Sequence, residues 1–143
     1  MIAYADTGFL VSLYGQDANS PSARLVAQNR PTFLLTGLGE AEFVNSLELR
    51  IFRREWTRRE ARAVHDQFLH HQAVAIIRSE PFSAAVWERA VDLSRRHSAT
   101  IGTRALDVLH VASALTLKPD VFLTFDKRQI SLAKAVGLQV LAA

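Results

Sequence analysis

Four carboxylates in this chain stand where a side chain can do chemistry rather than merely face water. Asp6 directly follows the apolar run Ile2-Ala3-Tyr4-Ala5, and Asp126 follows Val121-Phe122-Leu123-Thr124-Phe125. Open α/β sheets take their ligands beyond the carboxyl ends of their strands. An acid there can hold a ligand, or it can cap the following helix; residue type alone leaves both readings open. Asp107 lies within Ala105-Leu106-Asp107-Val108-Leu109-His110-Val111-Ala112, sharing a helical stripe with Val111 and Ala114. A charge on an apolar stripe is costly to bury unless it is paired, hydrogen-bonded or coordinated. Glu42 shares a short polar strip with Asn45 and Ser46, while Glu40 competes with it from a different face of the same helix.

Other chemistries find no support. The chain has no Cys, which excludes a disulfide scaffold, a thiolate zinc site, an iron–sulfur cluster and a cysteine nucleophile. Its five His include no His-x-x-x-His pair, so zinc hydrolase chemistry lacks its ligands. His110 reads as a buried, hydrogen-bonded residue, with a metal or catalytic role as the alternative. His65, His70 and His71 read as helix surface. No Walker A loop, no Gly-x-Gly-x-x-Gly and no Gly-x-Ser-x-Gly elbow occurs, so neither phosphate cradling nor a serine nucleophile is indicated.

The elements that must position the acids are legible as alternation. Strand-length apolar runs occur at Ile2–Ala5, Phe33–Thr36, Ala73–Ile77, Val121–Thr124 and Gln139–Leu141. None alternates cleanly with polar residues, which predicts strands buried on both faces of a parallel sheet. Helices are predicted for residues 7–15, from Pro21 behind an Asn19 or Ser20 cap, and from Leu38 to about Arg53. Others follow from Thr57 (a capping box with Glu60) to about His71, from Pro81, over 103–117, and over Lys127–Val136 before Gly137. The pattern predicts one α/β domain over residues 1–143, with a parallel sheet of about five strands.

The 143 residues are 49% hydrophobic and 22% charged, a globular composition that excludes disorder. Residues 1–15 carry Asp6 and no basic stretch, and no apolar run approaches the ~20 residues that span a bilayer. A cytoplasmic protein with no membrane partner is expected. Seventeen basic residues against fourteen acidic ones give a net charge of +3. Six Arg fall between Glu48 and Arg62. They suit phosphate contact through their planar forks, or they form a solvated helix surface.

The ordered set Tyr4-Ala5-Asp6-Thr7, Glu42-Phe43-Val44-Asn45-Ser46-Leu47, Arg104-Ala105-Leu106-Asp107-Val108-Leu109-His110-Val111-Ala112, Leu123-Thr124-Phe125-Asp126 and Ala133-Lys134-Ala135-Val136-Gly137-Leu138 resembles the PIN-domain nucleases, in particular the VapC toxins of toxin–antitoxin pairs. The resemblance runs over essentially the whole chain. It implies a single PIN-like domain and a Mg²⁺- or Mn²⁺-dependent endoribonuclease. It also implies an RNA substrate, a homodimer and a small antitoxin partner. It would place the four catalytic and metal-holding acids at Asp6, Glu42, Asp107 and Asp126, with Glu42 preferred to Glu40 because the residues after it fit the pattern. Thr7, Asn45 and Thr124 would support them, and Gly8 departs from the Ser often found at its position.

Four crowded carboxylates repel one another, and hard oxygen ligands suit Mg²⁺ or Mn²⁺. A cation so held activates a water and polarises a phosphoryl oxygen. Arg50, Arg53, Arg54 and Arg104 are the candidates for RNA contact. Two other acid-and-magnesium architectures fit less well. A receiver domain needs an Asp after the third strand, where Arg78 stands, and a haloacid-type phosphatase needs an Asp at position 8, where Gly8 stands. The remaining alternative is a non-catalytic PIN-like module that binds RNA or protein.

Overall fold

The computed structural model describes residues 1–141. Ala142 and Ala143, which the expected domain of 1–143 includes, lie outside the described residues. Five strands, β1 (Ile2–Ala5), β2 (Thr32–Thr36), β3 (Ile77–Glu80), β4 (Val121–Leu123) and β5 (Val140–Leu141), form one sheet in the order β3-β2-β1-β4-β5. Every pairing is parallel, as the apolar runs predict.

The chain moves outward from β1 to β3 and then returns to place β4 on the other side of β1. That reversal opens a crevice at the carboxyl ends of β1 and β4, where Ala5 pairs with Leu123, the place such sheets use for ligands. The order also separates the fold from receiver domains, whose β1 and β3 are neighbours.

Strand parity sorts the core. Ala3, Ala5, Phe33, Leu35, Val121 and Leu123 face one layer, with Phe9 and Leu10 of α1 (Thr7–Tyr14), Ala23 of α2 (Ser20–Ala27), Phe43 of α3 (Gly37–Phe52) and Phe68 of α4 (Arg58–Ala73). Tyr4, Leu34 and Phe122 face the other, with Val86 of α5 (Ala84–Leu93), Val108 and Val111 of α7 (Ala105–Leu117) and Leu132 of α8 (Lys127–Ala135). A π turn (Ser94–Ser98) and the short α6 (Ala99–Ile101) link α5 to α7.

Two boundaries depart from the sequence reading. Residues 73–76 are not strand: α4 runs on to Ala73, and Ala75 turns at φ 60°. The strand follows over Ile77-Arg78-Ser79-Glu80 and carries polar residues, because β3 is an edge strand with solvent beside it. Pro81 precedes its helix by three positions rather than opening it, since α5 starts at Ala84 behind Ser83.

The Phe43 and Phe68 rings stack at 4.2 Å and lock α3 to α4. Phe68→Ala is expected to cost about 3–5 kcal/mol, seen as a lowered urea midpoint at constant slope; a cost below about 1 kcal/mol would mean this layer repacks freely.

Candidate active site

Helix starts bring the acids to the crevice. Asp6 is the N-cap of α1: its Oδ1 accepts the Phe9 N–H at 2.7 Å, and its Oδ2 accepts the Thr124 hydroxyl at 2.6 Å. Asp126 is the N-cap of α8, its Oδ1 accepting from Arg128 N and Gln129 N at 2.8 and 3.0 Å. Asp107 lies in the first turn of α7, where Oδ2 accepts the Arg104 N–H at 3.0 Å and Oδ1 the Gln129 side-chain amide at 3.2 Å. Capping and site formation therefore coincide at all three aspartates. The positive ends of α1, α7 and α8 favour these negative charges, which is how Asp107 stays buried beside an apolar helix face.

Glu42 arrives differently, from the second turn of α3. Its Oε1 accepts the Thr7 hydroxyl at 3.1 Å and meets His110 Nε2 at 2.5 Å. Glu40 is turned away from the cleft and accepts from Gln72 and Ser79, bracing α3 against α4 and β3.

Asp6, Glu42 and Asp107 line one cleft of about 460 Å³ with Thr7, Arg104 and His110. Asp6 and Gln129 also line an adjoining cleft of about 440 Å³, whose walls include Asp126, Ser46, Arg50 and Arg53. Asp126 lines this second cleft and not the first, and Gln129 joins it to Asp107. Asn45, expected beside the acids, is exposed on α3 and lines neither cleft. Arg50 is engaged by Asp17 and Glu55 and lies over the Trp56 ring. Arg54 turns at φ 58° and lines neither cleft. Arg53 lines the second cleft beside Arg50, and Arg104 lines the first, its Nε 3.8 Å from Asp107 Oδ2.

Burial raises the Asp6 carboxyl above its ordinary range, and the Asp126 charge adds to the rise; the Thr124 hydroxyl, the His110 ring and the Phe9 N–H oppose it. The donor set suits a hard divalent cation. It consists of carboxylate oxygens, and the one imidazole present has both nitrogens engaged, by Tyr4 and by Glu42. Among the described residues no three His, Asp or Glu side chains close around an ion by themselves. An open carboxylate edge fits Mg²⁺, which keeps several waters and takes one or two protein carboxylates.

Gln129 was missed in the sequence. It sits where α8 begins, joins Asp107 through its side chain and Asp126 through its backbone, and is buried. Its spacing of three residues from Asp126 was the available signal, since an N-cap acid bonds the N–H at that offset.

The family model for the PIN domain matches residues 3–135. No curated protein matches the chain significantly in sequence. Among solved structures, the chain is similar to VapC20 of Mycobacterium tuberculosis, a Sarcin-Ricin loop cleaving toxin, at 20% identity, covering 95% of each chain, with a TM-score of 0.69. It is similar to FitAcB of Neisseria gonorrhoeae at 18% identity, covering 99% of this chain and 97% of that one, with a TM-score of 0.70. A toxin-antitoxin complex from Klebsiella pneumoniae matches at 15% identity, covering 98% and 96%, with a TM-score of 0.64. At these identities the likeness is one of fold.

Proposed function

Because this chain belongs to the PIN domain family, we propose that it is a divalent-metal-dependent endoribonuclease, the toxin of a toxin–antitoxin pair. One observation carries the reading: Asp6, Glu42 and Asp107, drawn from three separate elements, meet in one cleft with Arg104 at its rim.

Asp6, Glu42 and Asp107 would hold Mg²⁺ or Mn²⁺, with Asp126 contributing from the adjoining cleft. When bound, such a cation lowers the pKa of a water and polarises a phosphoryl oxygen. The protein's own groups set the stage. Thr124 and the Phe9 N–H fix Asp6, the Arg104 N–H and Gln129 fix Asp107, and Thr7 and His110 fix Glu42. Fixed carboxylates keep their orientation as charge develops on the phosphate, so reorganisation costs little. The side chains of Arg53 and Arg104 would grip phosphates on either side of the cut.

Purified protein is expected to cleave RNA at defined positions with Mg²⁺ or Mn²⁺ and to stop with a chelator. Unchanged cleavage in the chelator would overturn the metal role, and RNA binding without cleavage under either metal would favour a binding module. Arg53→Ala and Arg104→Ala are each expected to weaken RNA binding and to reduce the salt-dependence slope by about 0.7. Unaltered slopes in a filter-binding titration would remove the two arginines from the RNA path. The homodimer and the small antitoxin belong to the same reading. Growth arrest on expression, relieved by Asp6→Asn, is its cellular signature, and harmless expression of active enzyme would argue for a different nuclease role.

A further inference from the structure

Tyr4, His110 and Glu42 form an unbroken chain from the core to the cleft. Tyr4 is wholly buried on β1, and His110 is 2% exposed. The Tyr4 hydroxyl lies 2.8 Å from His110 Nδ1, and His110 Nε2 lies 2.5 Å from Glu42 Oε1. The donors follow from valence. A carboxylate only accepts, so the hydrogen between His110 and Glu42 sits on Nε2. Nε2 donates to Glu42 whether the ring carries one N–H, with Tyr4 donating to Nδ1, or two, with Nδ1 donating to the Tyr4 oxygen. Thr7 donates to the same Oε1 at 3.1 Å. Among the described residues, neither contact uses Glu42 Oε2.

We infer that His110 is a positioning residue for Glu42: held at Nδ1 by Tyr4, it pins Oε1 and so reserves Oε2 for the ligand of the cleft. Both ends of the arrangement argue for more than packing. Its inner end is anchored on β1, the strand that runs into Asp6, and its outer end is a partly exposed carboxylate on α3. A free Glu side chain on a helix samples several rotamers, each spoiling the alignment with Asp6. Two donors on one oxygen leave a single productive orientation. The inference rests on the nuclease reading of the cleft and deepens it.

The first test needs neither RNA nor metal. Long-range ¹H–¹⁵N correlation spectra of the labelled protein are expected to show a hydrogen on His110 Nε2; an Nε2 without a hydrogen overturns the inference. The second uses Mn²⁺ alone, titrated calorimetrically into folded variants. His110→Leu is expected to weaken Mn²⁺ binding by about 10–100-fold, the usual effect of losing a partner that orients a ligand. His110→Gln, whose amide can replace the Nε2–H, is expected to recover most of that loss, and Tyr4→Phe to fall between. In turnover, His110→Leu should lower kcat with little change in the KM for RNA, and His110→Gln should restore it. Wild-type affinity in folded His110→Leu, or His110→Gln as impaired as His110→Leu, would refute the inference. If the wild-type protein bound Mn²⁺ and showed the Nε2 hydrogen but cut no RNA, the nuclease reading would fail while the positioning role stood.

Discussion

Asp6→Asn should abolish RNA cleavage while making the metal-free protein more stable. Two roles of Asp6 separate in this substitution. As an N-cap, Asn performs about as well as Asp, and its side-chain oxygen can still accept the Phe9 N–H. A purely capping Asp6 would therefore leave cleavage intact. In the proposed role as a buried carboxylate that holds the cation, it loses the charge on which that role depends. Lewis-acid stabilisation is worth several kcal/mol, so kcat should fall on the order of 10³-fold.

The stability gain follows from the raised Asp6 carboxyl, whose charge is disfavoured first by burial and further by Asp126. The folded state holds this proton to higher pH than the unfolded chain does. Stability from this group is therefore full below the unfolded pKa and declines as pH rises through the raised folded value. Above that value the ionised group opposes folding, and Asn removes the opposition. Thermal melts of both proteins across acid to neutral pH should show the wild type losing stability relative to Asp6→Asn as pH rises. A variant that melts lower than wild type at neutral pH without metal, or that still cuts RNA, would contradict this account.

Glu42→Gln should cost about 10²–10³ in kcat, whereas Glu40→Gln should leave cleavage unchanged. The first figure is the usual effect of losing one fixed electrostatic group in a reacting site. The two acids are two residues apart on α3, and the helix turns them to different faces. Glu42 meets Thr7 and His110 at the cleft; Glu40 meets Gln72 and Ser79. Gln is nearly isosteric with Glu, so each substitution removes charge with little change in packing. Glu40→Gln should cost about 1 kcal/mol or less of folding stability, because its carbonyl can still accept one of the two bonds. Single-turnover cleavage beside urea denaturation separates the effects, and an inactive Glu40→Gln with normal stability would move the site to the other helix face.

How much of the site is legible in one dimension differs from residue to residue. Asp6 and Asp126 follow apolar runs, so a strand-end position could be read from the sequence. That Asp6 lines both clefts and Asp126 only one could not, because that depends on where α1 and α8 depart from the sheet. In the sequence Asp107 is a charge on an apolar stripe. The structure puts it in the first turn of α7, where Arg104 N–H and Gln129 satisfy it. Arg50, which an Arg-rich stretch marks for phosphate contact, lines the cleft beside Asp126 and also meets Asp17, Glu55 and Trp56, contacts that the sequence does not show. The third strand was displaced because the apolar residues Val74 and Ile76 mimic a strand at the end of α4, while the true edge strand is polar.

By itself the sequence determined what is set by local periodicity and residue type: the α/β alternation, buried strands at the centre of the sheet, oxygen donors without thiols, and the acids that could matter. Tertiary structure alone decided which acids share a cleft, that Glu40 is a brace, that His110 links Tyr4 to Glu42, and that Gln129 joins two aspartates. Those outcomes depend on contacts between residues up to 118 positions apart. Local pattern can specify the pitch of a helix or the pleat of a strand. It is the strand order and the packing of helices on both faces that bring distant side chains within hydrogen-bond reach.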